Sequence, residues 1–469
     1  MTPREAALEQ AARHFDSGGF QRELARRVAL PTESENPERA AMLRAYLDDE
    51  IAPSLGALGI KSTVYDNPVA GAPPLLIGRH VEDDTLPTVL VYGHGDVVRG
   101  HEGRWRAGRN PWTLAADGER WYGRGCADNK GQHSINLAAL AALHEARGGS
   151  LGFNVTWLVE MGEEKGSPGL AEFCAAHRDD LAADVLIASD GPRLRADRPT
   201  VYLGTRGVAN FDLTLKLRDG GHHSGNWGGL LRNPGTVMAG AIACLVDGRG
   251  RILVDGLRPP PIPPSVRHAL ADITVGGGVD DPAVDVDWGE PGLTPAERVF
   301  GWNTVEVLAY TTGNPAQPVN AIPPDARAHL QLRFVVGTDA SRLREHVISH
   351  LARHGFGDIA VSEPVVMAAT RLDPDSVWVR LALQSIERTT NRQPALLPNL
   401  GGSLPNDVFA DILGLPTVWV PHSYPACSQH APNEHVLAPL MREGLLMMTG
   451  LFCDLAEQQA ALPRRGAAH

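Results

Sequence analysis

No Cys-x-x-Cys pair occurs in this 469-residue chain, and its five cysteines, Cys126, Cys174, Cys244, Cys427 and Cys453, are scattered and odd in number. That argues against a disulfide framework and against a zinc finger, and it fits a reducing, cytoplasmic setting. No run approaches the ~18 apolar residues of a membrane span. The opening Met1-Thr-Pro-Arg-Glu-Ala6 lacks the apolar stretch of a secretory signal. Basic residues are in deficit, 43 Lys and Arg against 55 Asp and Glu for a net charge of −12, so nucleic acid and anionic membrane are not expected partners. Internal repeats and long low-complexity tracts are missing as well. Pro463–His469 reads as a fraying tail. The remaining composition, 43% hydrophobic and 21% charged, is that of a globular chain long enough for two or three domains.

The pattern along the chain changes twice. Up to about residue 205, helical stretches (Phe20–Val28, Glu38–Leu58, Gln132–Ala146) alternate with short buried-strand runs at Leu75–Gly78, Thr88–Tyr92, Val155–Val159 and Val185–Ala188. Alternation of this kind implies an α/β sandwich with a largely parallel sheet. From about Arg206 the strands instead alternate apolar and polar residues, at Phe211–Leu217 and Ala328–Val336. Helices follow at Pro234–Val246 and Ser341–His354. The α/β pattern then returns, with helices at Ser376–Thr390 and Val436–Glu457 and a strand at Pro416–Val420. The expected architecture is a discontinuous catalytic α/β domain, residues 1–205 and 364–469. A two-layer α+β lid or dimerisation domain, residues 206–363, is inserted in it.

Ligand-type residues follow the strands. His94, the pair Glu163-Glu164 and Asp190 each come directly after a buried run, and in such sheets ligands sit beyond the carboxyl ends of the strands. Asp96, two residues from His94, can hold the imidazole's second N–H and fix its tautomer. Asp128 lies in the glycine-rich Gly123-Arg-Gly-Cys-Ala-Asp-Asn-Lys-Gly131. A phosphate cradle is the rival reading there, but the spacing fits neither nucleotide fingerprint and the carboxylate would repel phosphate. A carboxylate bridging two cations suits the loop better. One metal would take His94, Asp128 and Asp190, and the other Asp128, Glu164 and His430, with His435 and, weakly, Cys427 competing for the last place. Adjacent glutamates splay apart, so one can bind metal while the other takes a proton from water; a bare Glu-Glu pair is otherwise a solvated turn. Mixed nitrogen and oxygen donors suit two Zn²⁺ per subunit, with Mn²⁺ or Co²⁺ as substitutes. The histidines at 80, 101, 144, 177 and 350 read as surface residues.

In this order, Gly93-His-Gly-Asp-Val-Val98, Gly123–Gly131, Glu160-Met-Gly-Glu-Glu-Lys-Gly-Ser167, Ser189-Asp190, His223-Ser-Gly225 with Gly228-Gly229, and Gly401-Gly-Ser403 resemble the M20 metallopeptidase family, over about residues 20–458. The resemblance extends to hydrolases of the acetylornithine deacetylase and succinyl-diaminopimelate desuccinylase type. The inserted domain and the His-Ser-Gly with its following Gly-Gly look like the dipeptidase, carnosinase-like branch. The resemblance implies that Glu163 is the general base, Glu164 the ligand beside it and Asp96 the residue orienting His94, and it favours His430 over His435. It further implies a cis peptide at Asp128-Asn129. His223 would stabilise the oxyanion from the partner subunit of a homodimer, with His222 as the competing ring. Asn320, Arg333, Ser403 and Gly402 would bind the substrate's carboxylate end. Departures at Gly191 and at Leu404-Pro-Asn-Asp407 bear on side-chain preference. The implied activity is hydrolysis of dipeptides with a free C-terminal carboxylate. An N-acyl or N-carbamoyl amino-acid amidohydrolase would use the same residues. A non-catalytic metal-binding scaffold is a third reading, against which every catalytic position is filled.

Overall fold

Four apolar runs form the centre of one sheet. In the computed structural model, which describes residues 1–106, 108–276 and 282–464, strands Asn154–Glu160, Thr88–His94, Val185–Ala188 and Thr417–Trp419 lie side by side and parallel. Leu75–His80 and Lys61–Tyr65 extend the sheet antiparallel on one side. Thr200–Tyr202 and Ala395–Leu397 extend it on the other, for eight strands in all. The sheet is therefore mixed, parallel at its centre and antiparallel towards its edges. Every residue of Asn154–Glu160 is buried, which requires cover on both faces.

Parallel register sets the level at which the chain leaves the sheet. His94 pairs with Glu160 and Leu90 with Leu186. His94 and Asp190, each four positions on from that second pair, therefore emerge at the same height. Helix Lys130–Ala146 packs on this centre and on Ala438–Gln458, which also carries Pro3–Asp16 and Val377–Thr390. Thr2 caps the first of these in a reciprocal box with Glu5, with Pro3 at the first turn, satisfying amides that the helix cannot. Its Ala7, Ala11 and Phe15 recur at helical spacing and are buried.

Some element boundaries differ from the expectation. Glu38–Leu58 is helical but not one α-helix: a 3₁₀ turn at Pro37–Arg39 and a π segment at Tyr46–Ile51 interrupt it. The last helix starts at Ala438, with Pro439 in its first turn, because His435–Leu437 is a strand pairing with Arg120–Tyr122. Residues 465–469 of the tail expected to fray lie outside the described residues.

The chain divides into two units. The first holds Met1–Gly204, Leu372–Leu397 and the chain from Pro405. The second holds Thr205–Arg371 and takes back Pro398–Leu404, whereas the sequence reading places the return at residue 364. The extension has a structural cause, since Val365–Met367 pairs with Gly207–Lys216 in the second unit's sheet. That sheet is antiparallel and five-stranded, adding Thr304–Thr312 and Ala360–Val361 to the two alternating strands. Ala209, Phe211, Leu213 and Leu215 point inward with Ala328, Leu330, Leu332 and Phe334, under the helices Pro234–Leu245 and Leu343–Arg353. Among the described residues no helix is long and apolar enough to cross a membrane.

Candidate metal centre

The strand ends and the Asp128 loop converge in the first unit. One oxygen of Asp128 lies 3.0 Å from His94 Nε2 and the other 2.9 Å from His430 Nε2. Around His94, Asp190 Oδ2 lies at 3.5 Å and Glu163 Oε2 at 3.9 Å. Glu164 Oε2 lies 3.1 Å from His430 Nε2. Two ligand groups result, His94–Asp128–Asp190 and Asp128–Glu164–His430, joined through the two oxygens of one carboxylate.

Close packing explains the glycines beside these residues. A Cβ on Gly95 would stand 2.5 Å from the Tyr46 ring and 2.7 Å from Met161 Sδ, so the chain after His94 can turn there only without a side chain. Asp96 is fully buried. Its Oδ1 lies 3.4 Å from His94 Nδ1, and its two oxygens accept the amides of Glu163 and Glu164, each at 3.1 Å. His94 Nδ1 donates to the Asp96 backbone carbonyl at 3.1 Å, so one residue braces the imidazole through its carbonyl and the glutamate pair through its carboxylate. The Asp128-Asn129 peptide is cis.

The Asp128 loop has a second brace, which the sequence reading does not single out. Glu434 is buried against Arg124, Oε2 to Nη1 at 2.7 Å. Its oxygens accept the amides of Gly125 at 3.1 Å, Ala127 at 2.9 Å and Asp128 at 3.2 Å. Asn129 Nδ2 donates to the Ser189 carbonyl at 2.8 Å, tying the loop to the Asp190 strand end. Gln429 Nε2 donates to Asp128 Oδ2. The only signal for Glu434 is its place in His-Ala-Pro-Asn-Glu, and its partner lies 310 residues away.

Charge in this cluster is one-sided. Among the described residues no Lys or Arg pairs with Asp128, Glu163, Glu164 or Asp190. Burial, reinforced by Asp190, Asp128 and Glu164, holds the Glu163 carboxyl well above the usual carboxylate range once the opposing His94 is counted. Burial pushes Glu164 up to about 7, with Asp128 adding to it. Burial alone would depress His94, but Asp128, Asp190 and Asp96 outweigh it and hold the imidazolium well above its usual value. Hydrogen bonds that His430 donates to Asp128 and Glu164 push its imidazolium up to about 11. Asp128 meets a burial penalty that the two histidines overcome, and its carboxyl is held far below the usual range.

The residues fit divalent cations on three counts. The N···O separations bracket the ~3.3 Å expected between tetrahedral ligands at zinc bond lengths. Glu164 Oε1 and Asp190 Oδ2 are buried without a hydrogen-bond partner, a costly state that a cation relieves. The donors are imidazole and carboxylate, the set suited to zinc and its neighbours.

The competing candidates fall away on geometry. His435 has both ring nitrogens engaged, by Tyr424 Oη at 2.6 Å and the Asn433 carbonyl at 3.0 Å. Cys427 belongs to neither ligand group. His350 corrects the surface reading: it is 5% exposed.

The remaining predicted residues lie in the second unit. His223 is exposed, and its Nδ1 accepts the Gly225 amide at 3.1 Å. That bond puts the proton of the neutral ring on Nε2, as a donor. His222 instead meets Trp227 edge-on, ring centroids 6.1 Å apart. Asn320 accepts the Ser224 amide on its backbone carbonyl at 2.9 Å. Arg333 Nη1 donates to Ser403 Oγ at 2.9 Å, and Ser403 Oγ donates to the Arg206 carbonyl at 3.0 Å. Gly402 is exposed beside them. Arg206, which the sequence marks only as a domain boundary, is buried with Nε unpartnered. Burial and then the neighbouring Arg333 lower its guanidinium to about 10.

Two ligand groups sharing a carboxylate at the carboxyl edge of an α/β sheet define a dinuclear metal hydrolase of the co-catalytic kind. Residues 90–454 match peptidase family M20/M25/M40, and the chain belongs to that family. Beta-Ala-His dipeptidase of Mus musculus is 24% identical over 92% of this chain and 92% of its own length. Cysteinylglycine-S-conjugate dipeptidase of Corynebacterium striatum is 27% identical over 80% of each. The crystal structure of human carnosine dipeptidase 1 superposes with a TM-score of 0.76 at 22% identity, covering 97% of this chain and 99% of that one, and so shares the fold.

Proposed function

We propose that the protein is a metal-dependent dipeptidase acting on dipeptides with a free C-terminal carboxylate. The observation that carries the reading is Asp128 with one imidazole on each oxygen, and a further carboxylate, Glu163, beside the shared centre. The dipeptidase names of the relatives support a dipeptide over an N-acyl amino acid.

His94, Asp128 and Asp190 would hold one cation and Asp128, Glu164 and His430 the other, zinc by donor type with manganese or cobalt as substitutes. Such cations supply Lewis acidity, polarising a carbonyl and lowering the pKa of water. Glu163 does the proton work: it accepts a proton from the attacking water and returns it to the amine nitrogen as the C–N bond breaks. Asp96 holds His94 and the Glu163-Glu164 amides in register for it. His223 presents an Nε2–H donor for the developing oxyanion, from the partner subunit of a homodimer. Arg333, with Ser403, Gly402 and Asn320, takes the carboxylate; a guanidinium suits that group through parallel hydrogen bonds, and Arg206 adds positive charge behind it. Five free cysteines are consistent with a reducing, cytoplasmic setting.

The test is a panel of dipeptides and N-acyl amino acids presented to zinc-, manganese- and cobalt-loaded protein. Dipeptides should turn over and acylated amino acids should not. Glu163→Ala should keep its metals and fold while kcat drops ~10²-fold or more, about 2.7 kcal/mol of barrier. Preference for acylated amino acids refutes the substrate, and a near-native rate in the variant refutes the role of Glu163.

A further inference from the structure

A second set of metal-binding side chains lies wholly within the second unit. Cys244 sits at the end of helix Pro234–Leu245, His350 on helix Leu343–Arg353, and His354 directly after that helix. The i, i+4 spacing puts both imidazoles on one side, and their rings stack with centroids 4.2 Å apart. The Cys244 sulfur and one nitrogen of each ring lie within 4.8 Å of one another.

Each ring has one nitrogen held by a backbone carbonyl. His350 Nε2 lies 2.8 Å from the Cys244 carbonyl, and His354 Nδ1 lies 2.9 Å from the His350 carbonyl. A carbonyl can only accept, so each of these nitrogens carries the proton and the other keeps its lone pair. A backbone carbonyl holding the far N–H is the usual setting of a metal-bound imidazole. His350 Nδ1 is left buried with no partner, on a side chain 5% exposed. Such a lone pair needs an explanation. The Cys244 thiol donates to the Ala241 carbonyl at 3.1 Å, an acceptor it can give up. Burial holds the His350 imidazole below its usual value, with His354 and Arg353 adding to the shift and the Cys244 carbonyl and Asp255 opposing it, so the ring is kept neutral with a free lone pair.

We propose that Cys244, His350 and His354 bind one divalent transition-metal ion, zinc by preference, clipping the end of helix Pro234–Leu245 to the end of Leu343–Arg353. On binding, Cys244 S–H gives its proton to solvent and the sulfur–metal bond forms in its place; the neutral rings release none. The exposed edge at His354 leaves a fourth position to water. One thiolate and two imidazoles suit zinc, cobalt or copper and disfavour magnesium and calcium. The site is separate from the carboxylate centre, which has no sulfur donor.

That difference supplies the test. Metal-depleted full-length protein is titrated with Co²⁺ while the near-ultraviolet sulfur-to-cobalt charge-transfer band is followed, a signal nitrogen and oxygen ligands do not give. The band should saturate by the third Co²⁺ per chain, the other two ions filling the carboxylate centre without adding to it, and its final intensity should be that of one thiolate–cobalt bond. It should vanish in Cys244→Ser and in His354→Ala, whose side chain is exposed and dispensable to the core. Both variants should keep dipeptide hydrolysis and bind one zinc fewer per chain. A band missing from the native protein, or retained in either variant, overturns the assignment, as does unchanged zinc content.

Discussion

Asp128 is useful only if both of its oxygens stay where the two histidines can meet them, and that task falls largely to Glu434. Its carboxylate takes the amides of Gly125, Ala127 and Asp128 while Arg124 neutralises it. Both charged side chains are about 1% exposed. Removing one member of such a pair leaves the other buried and unpaired, at a cost of about 3–5 kcal/mol. Glu434→Ala should therefore lower stability by that amount in denaturant unfolding and weaken metal binding as the loop loosens. Glu434→Gln removes the charge but keeps one acceptor oxygen, so it should recover part of the metal affinity. If the two variants bind metal as tightly as the native protein, the loop is held by something else. None of this was legible in the sequence, where Arg124 and Glu434 are far apart and each has the look of a surface charge. His94, Glu164 and Asp190 were legible as candidate ligands, because each follows an apolar run and the runs share a sheet; Asp128 and His430 come from loops, and only their motifs marked them.

At the scale of elements, the decisive contact is between the start of helix Lys130–Ala146 and the loop before it. A Cβ on Gly131 would fall 1.9 Å from the Cys126 carbonyl oxygen, and backbone cannot swing aside as a side chain can. Gly131→Ala must push the loop away from the helix. It should lose about 1–3 kcal/mol as an overpacked substitution and lose metal affinity besides, read by unfolding and by metal titration. Gly103→Ala, where nothing lies within 4 Å, is the control that should change neither. Native metal affinity in Gly131→Ala would show that the helix start does not position Asp128. Strand centres were readable from the sequence in the same way as the ligands, since burial on both faces leaves continuous apolar runs. Thr304–Thr312 was not: six consecutive residues of this edge strand are exposed, so no alternation marks it. The strand His435–Leu437 was missed, its Val436 and Leu437 taken into the helix that follows, because three residues carry no period.

At the scale of the molecule, that edge strand bears on assembly. Thr304–Thr312 is nine residues long and, among the described residues, pairs on one side only, with Asp325–Phe334. Val307, Leu308 and Tyr310 are exposed on it, Leu308 at 55%. A long apolar edge is a template for pairing with another chain unless something covers it, and a second copy of this chain would meet that need by symmetry. The same homodimer is what an in-trans role for His223 requires, so the two readings can be tested together. Leu308→Arg places a charge on the exposed edge and leaves the core untouched, and it should shift the sedimentation coefficient from dimer to monomer. If His223 of one subunit serves the centre of the other, that monomer should lose activity to the extent that His223→Ala does. Mixing Glu163→Ala with His223→Ala subunits should then restore turnover, because each mixed dimer pairs one intact Glu163 with one intact His223 across the interface. A fully active monomer, or a mixture no more active than its parts, would put His223 outside the reaction of its partner.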